Sequence, residues 1–268
     1  DLLIAEACEY QRSFLNLSPK ILVITNIDED HLDYYQDLVD IQNAFIELVQ
    51  KVPVDGFLIC NQHDLNLISL VKEAKCKVID YKTEEVSSLK LLLPGQHNIE
   101  NAQAALATAR ALGVSPSTSF RAVNQFKGTW RRFEFKGELP GGALVYDDYA
   151  HHPTEIKATL AAAKEKFPQR KIVAVFQPHL YSRTKFLLDD FARSFKDADE
   201  VLVAPIYAAR EAPDTTISSE ILAEAINKFV PAIALDFAGI VAKLKKETKA
   251  NDLIITIGAG NVCEVVDA

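Results

Sequence analysis

From residue 142 onward one pattern recurs: a short apolar run, a polar turn, a stretch with helical periodicity, then another apolar run. The runs are "GALVYDD", "KIVAVFQ", "EVLVAP", "AIALD" and "DLIITIG", and the helical stretches between them fall at about 153–166, 184–195, 218–229 and 238–247. Unbroken apolar runs of strand length are what a strand buried on both faces requires, and a helix between each pair is the crossover that makes neighbours parallel. Five such strands imply a complete doubly wound sheet.

The first half carries the same alternation less fully. "LLIAEA", "ILVITNI", "GFLICN" and "KVIDYK" read as strands. A helix is expected over 37–52, where Leu38, Ile41, Ala44, Phe45 and Leu48 recur near the helical period. An Ala-rich helix over 97–112 ends at Gly113, and a further one over 116–126 starts after Ser115 as N-cap. The Pro-Gly-Gly turn after "RRFEFKGEL" marks a seam. Two domains follow, 1–130 and 131–268, and because the chain opens directly in an apolar run, the first is expected to be truncated at its N-terminal side.

Composition narrows the function. A formal charge of -8 argues against binding along a nucleic-acid duplex, which needs a basic face. The apolar runs are strand-sized, so no membrane insertion is expected. Cys8, Cys60, Cys76 and Cys263 are scattered without metal spacing, which reads as buried thiols in a reducing, cytoplasmic setting.

Ligands of doubly wound sheets bind beyond the carboxyl ends of the strands, so the polar residues after each run are the candidates. "EACEY" follows the first run and "TNIDEDHLD" the second, bringing Glu6 and His31 to neighbouring strand ends. Carboxylates and an imidazole there suit a divalent cation that holds phosphate oxygens, or are plain solvated loops. Asn98 and Asn101, three apart at a helix start, share a face, and a carboxamide can pair with the N6/N7 edge of adenine; Asn98 alone would serve as a cap. Arg131 and Arg132 sit at the seam, where a guanidinium fork suits phosphate or a salt bridge between the domains. In "DDYAHHPTE", Asp148 is placed to accept from ribose hydroxyls, while adjacent His151 and His152 point about 100° apart and make a poor metal pair. "QPHLYSRT" follows the next run, and Gly258-Ala259-Gly260 reads as a tight turn.

Taken together, "EACEY", "TNIDEDHLDYY", "GQHNIENAQAALA", "FKGTWRRFEF", "VYDDYAHHPTEI", "FQPHLYSRT" and "IYAAREAP" resemble the Mur ligases of peptidoglycan synthesis over nearly the whole chain. The resemblance implies a truncated central ATPase-type domain followed by a complete Rossmann-like C-terminal domain. It implies an ATP- and Mg2+-dependent amide ligase acting through an acyl phosphate. "AHHPTE" with "QPH.YSRT" points within the family to addition of L-alanine to UDP-N-acetylmuramate, with tripeptide recycling as the rival. By the same resemblance Glu6 and His31 hold metal, Asn98 and Asn101 adenine, Arg132 phosphates and Asp148 ribose, while His151, His179 and Arg183 line the amino-acid end. Two departures stand out. The family's UDP-binding domain and its GKT phosphate loop precede "EACEY" and neither is in this chain, so the 268 residues alone are expected to be inactive. Leu180 stands where many members carry Arg. A non-catalytic nucleotide-binding module remains the alternative, and the oligomeric state is left open.

Overall fold

A computed structural model describes residues 2–267, which form two compact units: 2–92 with 97–126, and 93–96 with 127–267. In the first, a 3-10 segment (Tyr10–Asn16) leads into β1 (Ile21–Ile24), then α1 (Leu38–Val49), β2 (Phe57–Cys60), α2 (Ile68–Glu73) and β3 (Lys77–Asp80). The three strands pair in parallel in the order β1-β2-β3. Asp37 caps α1 by accepting the Asp40 N–H at 2.9 Å. The face of α1 with Ile41, Ala44 and Leu48 packs on Leu22, Ile24 and Leu58. On the opposite sheet face α3 (Gln96–Ala111) lays Ala104 and Ala107 against Ile59 and Tyr81; α4 (Pro116–Gln125), capped by Ser115, follows.

The expected opening strand is absent: residues 2–9 form no regular structure, and Leu2, Leu3 and Ile4 are exposed. An apolar run becomes a strand only where a ladder partner accepts its backbone groups, and β1 pairs with β2 alone.

The second unit comprises β4 (Glu134–Glu138), β5 (Leu144–Asp148), α5 (Pro153–Lys166), β6 (Lys171–Phe176), α6 (Tyr181–Phe186), α7 (Leu188–Ala192), β7 (Glu200–Val203), α8 (Ser219–Ile226), β8 (Ala232–Ala234), α9 (Phe237–Glu247) and β9 (Asp252–Ile257). Its sheet runs β4-β5-β9-β6-β7-β8, parallel except for β4, which is antiparallel to β5. All five expected strands are present, with β4 added as a sixth at the edge. Alternate residues of β6, β7 and β9 face opposite ways. Ile172, Ala174, Phe176, Val201, Leu253 and Ile255 pack with α5, α7 and α8, whereas Val173, Val175, Leu202 and Ile254 pack with α9 and Val262. Helices on both faces make the doubly wound arrangement, and they leave the carboxyl strand ends open for polar residues.

Candidate active site

In the first unit the strand-end loop folds around His31, which sits in the left-handed region (φ 55°). Its backbone N–H donates to Asp30 Oδ1 at 2.6 Å, and Nε2 lies 3.0 Å from Glu9 Oε1. That hydrogen bond holds the Glu9 carboxyl below the usual range against the opposing effect of burial. Tyr35 Oη donates to the Glu9 carbonyl at 2.5 Å, and burial pushes the Tyr35 phenol up to about 12. Glu6 is exposed; the carboxylate against the imidazole is that of Glu9, a residue the sequence reading passed over although "EACEY" offers both glutamates.

His31 Nδ1 is buried without a hydrogen-bond partner. Such an atom is costly unless something coordinates or hydrogen-bonds it. Among the described residues no three His, Cys, Asp or Glu side chains group as a metal cage. Mg2+ does not need one, because it is commonly held by one or two carboxylates with substrate phosphates and water completing its shell, and Glu9 supplies a carboxylate beside His31. The residues present therefore fit a cation that arrives with phosphate oxygens.

Asn98 and Asn101 lie in the first turns of α3, Asn98 half-buried and Asn101 exposed.

The second unit gathers more of the candidates. β5 ends in Asp147 and Asp148, both buried. Asp148 accepts the N–H of Phe133 through Oδ2 and of Ala150 through Oδ1, each at 2.8 Å; burial nonetheless raises its carboxyl to about 6. Both oxygens thus already hold backbone N–H groups. Asp147 takes the Arg131 fork, Nε to Oδ2 at 2.6 Å and Nη2 to Oδ1 at 3.4 Å, and the Thr256 hydroxyl at 2.6 Å. Of the two seam arginines, Arg131 forms the buried ion pair, and that pair lies wholly inside this unit. Arg132 is half exposed, with its guanidinium 5.7 Å from the Tyr149 ring and Nη1 3.6 Å from Glu155 Oε1.

The helix that follows begins with a histidine cap. His152 Nδ1 accepts the Thr154 N–H at 3.3 Å, and Glu155 Oε2 accepts the N–H groups of His151 and His152 at 2.8 and 3.1 Å. Glu155 Oε2 also lies 3.5 Å from His151 Nδ1. Burial acts to raise the Glu155 carboxyl, but His151, its backbone N–H and Arg132 outweigh it and hold the group below the usual range. The His151 ring meets His179 at 5.7 Å, and His179 stacks on Tyr207 at 5.6 Å and 19°. Arg183, buried in α6, reaches His179 Nδ1 at 3.2 Å through Nη1.

Backbone geometry sets that row. Leu180 N–H donates to the Tyr207 carbonyl at 2.9 Å and Tyr207 N–H to the Pro178 carbonyl at 2.8 Å, bridging the ends of β6 and β7. Leu180 itself is buried and left-handed (φ 72°) as it turns into α6. Gly260 allows close approach here, since a Cβ there would stand 2.3 Å from Gln177 Oε1 and 2.9 Å from the Tyr207 ring. Arg132 and His151 thus lie by the carboxyl end of β5, and His179 and Arg183 follow the carboxyl end of β6, with β9 between the two strands. Tyr149, Glu155 and Tyr207 join them; Glu155 sits at the acidic position three residues after the His152 cap, whereas no spacing rule singles out the two tyrosines, whose places come from contacts between strand-end loops.

This is a doubly wound α/β protein whose strand ends collect guanidinium, imidazole and aromatic groups suited to anionic ligands. Residues 1–91 match the Mur ligase middle domain and residues 131–260 the Mur ligase, glutamate ligase domain. The chain belongs to the Mur ligase family. It is 42% identical to a UDP-N-acetylmuramate--L-alanine ligase of Acetivibrio thermocellus, over 98% of this chain and 62% of that protein. The corresponding protein of Clostridium acetobutylicum is 44% identical, over 99% of this chain and 64% of the relative. The chain thus spans somewhat under two thirds of these relatives. A solved UDP-N-acetylmuramate-alanine ligase from Thermotoga maritima superposes with a TM-score of 0.72 at 25% identity, covering 96% of this chain and 60% of that one.

Among the described residues no helix is long and apolar enough to cross a membrane. Cys60 and Cys76 are buried as expected, and burial pushes the Cys60 thiol up to about 12, which leaves it inert; Cys8 is exposed, against expectation.

Proposed function

We propose that these residues form the nucleotide- and amino-acid-handling part of a cytoplasmic ligase that joins L-alanine to UDP-N-acetylmuramate with ATP. The observation that carries the reading is the row Arg132, Glu155, His151, His179 and Arg183 at the ends of β5 and β6. In such a reaction the muramyl carboxylate is activated as an acyl phosphate and the amine of the amino acid displaces phosphate. Catalysis is then mostly positioning and charge stabilisation.

Each residue has a task under this proposal. The carboxamides of Asn98 and Asn101 hold the adenine edge, Asp148 accepts from the ribose, and Arg132 offers its fork to the phosphates. His31, with Glu6 and Glu9 of "EACEY", would hold Mg2+, whose chemistry is neutralisation of charge on the transferred phosphoryl group. Arg183 presents a fixed cation to the alanine carboxylate, oriented by its contact with His179. His151, kept in place by Glu155, faces the incoming amine.

The test is ADP release by the full-length chain with UDP-N-acetylmuramate and L-alanine, against glycine, L-serine and the muramyl tripeptide. Release dependent on both named substrates supports the proposal. Preference for tripeptide would reassign it to recycling, and nucleotide binding without release would make it a non-catalytic module. The 268 residues alone are expected to form no product, since the sequence contains no Gly-Lys pair and so no GKT loop to grip the phosphates.

A further inference from the structure

The loop preceding β4 is held more tightly than its exposure would require. Arg131 (φ 55°) and Phe133 (φ 48°) both occupy the left-handed region, with Arg132 between them. Non-glycine residues stay there only where their surroundings over-determine the backbone. Arg131 N–H donates to Glu134 Oε2 at 2.9 Å, and its carbonyl accepts the Tyr149 N–H at 2.7 Å. Phe133 N–H is taken by Asp148, and Arg132 N–H by the Thr129 carbonyl at 3.2 Å.

The Arg131 side chain completes the hold. Beyond its fork on Asp147, Nη1 donates to the Gly260 carbonyl at 3.0 Å and Nη2 to the Gly258 carbonyl at 2.6 Å. One buried guanidinium therefore ties the loop to the ends of β5 and β9 together. Its charge is matched at close range by buried Asp147, whereas Arg132 is half exposed and stands 3.6 Å from Glu155, so Arg132 is the guanidinium of the pair that an anionic ligand can reach. The Tyr149 ring lies 5.2 Å from the Arg131 guanidinium and 5.7 Å from that of Arg132, limiting where the second can swing.

We infer that Arg131 is a positioning residue: clamped to Asp147 and to the carbonyls of Gly258 and Gly260, it fixes the loop from which Arg132 reaches an anionic ligand. The inference rests on the reading of Arg132 as a phosphate-binding group. A lysine at 131 would keep the charge but, as a point donor, could not serve three acceptors in one plane.

The test is a double-mutant cycle on the full-length chain, reading MgATP affinity by calorimetry and KM and kcat for ADP release. Arg131→Lys is expected to weaken MgATP about tenfold and Arg132→Ala about fiftyfold, with the double variant no worse than Arg132→Ala, because residues acting through one contact are not additive. Losses that multiply would overturn the inference. A second readout, made on the 268 residues themselves, is the anisotropy of Trp130, their only tryptophan, whose ring lies 5.8 Å from the Arg131 guanidinium. Arg131→Lys should lower it while leaving the thermal melt cooperative; an unchanged value would sink the positioning role by itself. If Arg131→Lys does not fold, the paired Arg131→Met and Asp147→Leu variant removes both buried charges and carries the same two readouts. Unaltered MgATP affinity in Arg132→Ala would instead overturn the phosphate reading, and the ligand part of this inference with it.

Discussion

Burial raises the Asp148 carboxyl to about 6 from an ordinary 3.8, while the N–H groups of Ala150 and Phe133 and the nearby Arg132 charge pull the other way. A folded pKa above the unfolded one means that the stabilising contribution is complete below pH 3.8 and is lost as pH rises through about 6. Between pH 4 and 7 the stability of the parent protein relative to Asp148→Asn should fall by on the order of 3 kcal/mol, at about 1.4 kcal/mol per unit. Urea titrations at several pH values would show it, and a flat difference would refute it. Asp147, beside it, takes the buried Arg131 fork at 2.6 Å. Asp147→Ala strands a buried cation and should cost about 3–5 kcal/mol in denaturant unfolding. The sequence placed Asp148, His151, His179 and Arg183 at strand ends because strand ends follow apolar runs. Side-chain chemistry alone could not separate Arg131 from Arg132, since identical side chains one residue apart differ only in which one the fold encloses; only the family resemblance assigned the phosphates to Arg132.

Among the elements, α5 shows how a cap can do local and distant work at once. Glu155 accepts two backbone N–H groups at the helix start and also faces His151 and Arg132. Glu155→Ala should lower stability by about 1–2 kcal/mol through the lost cap. Glu155→Gln keeps one acceptor but not the charge, and is expected to recover most of the stability while still altering the pH profile of activity. β4 escaped the sequence reading because "EFKGE" alternates weakly and carries a glycine, and its pairing with β5 shifts register between Phe135 and Gly137. A lysine helps fasten this edge: Lys166 Nζ stands 5.7–5.8 Å from the rings of Phe133, Tyr146 and Phe167. Lys166→Met, which keeps the stem but not the charge, should cost about 0.5–1 kcal/mol by thermal melt. The single helix expected over 184–195 is two, α6 starting earlier at Tyr181 and α7 following the break at Leu187 (φ -104°, ψ 23°). Periodicity continues across such a break, so it leaves no trace in the pattern of apolar residues.

The whole molecule holds separate cores. The clusters around Leu48 and Ala107 draw only on the first unit, and those around Phe176 and Ile254 only on the second. Unfolding followed by calorimetry should therefore depart from a single two-state transition, and coincident transitions at every probe would contradict this. The alternation of runs and helices made the second unit's strand content legible, but not its order. β9 comes after β5, β6, β7 and β8 in the chain, yet it lies between β5 and β6 and hydrogen-bonds to both. A ribosome delivers residues in one direction at about 5–20 per second, so β5 and β6 must wait, without a shared neighbour, for roughly the time it takes to add the intervening residues. During that interval the nascent chain presents two long apolar strand edges to the cell, and the sheet that carries Arg132, His151 and His179 becomes continuous only when its last strand slides into the middle.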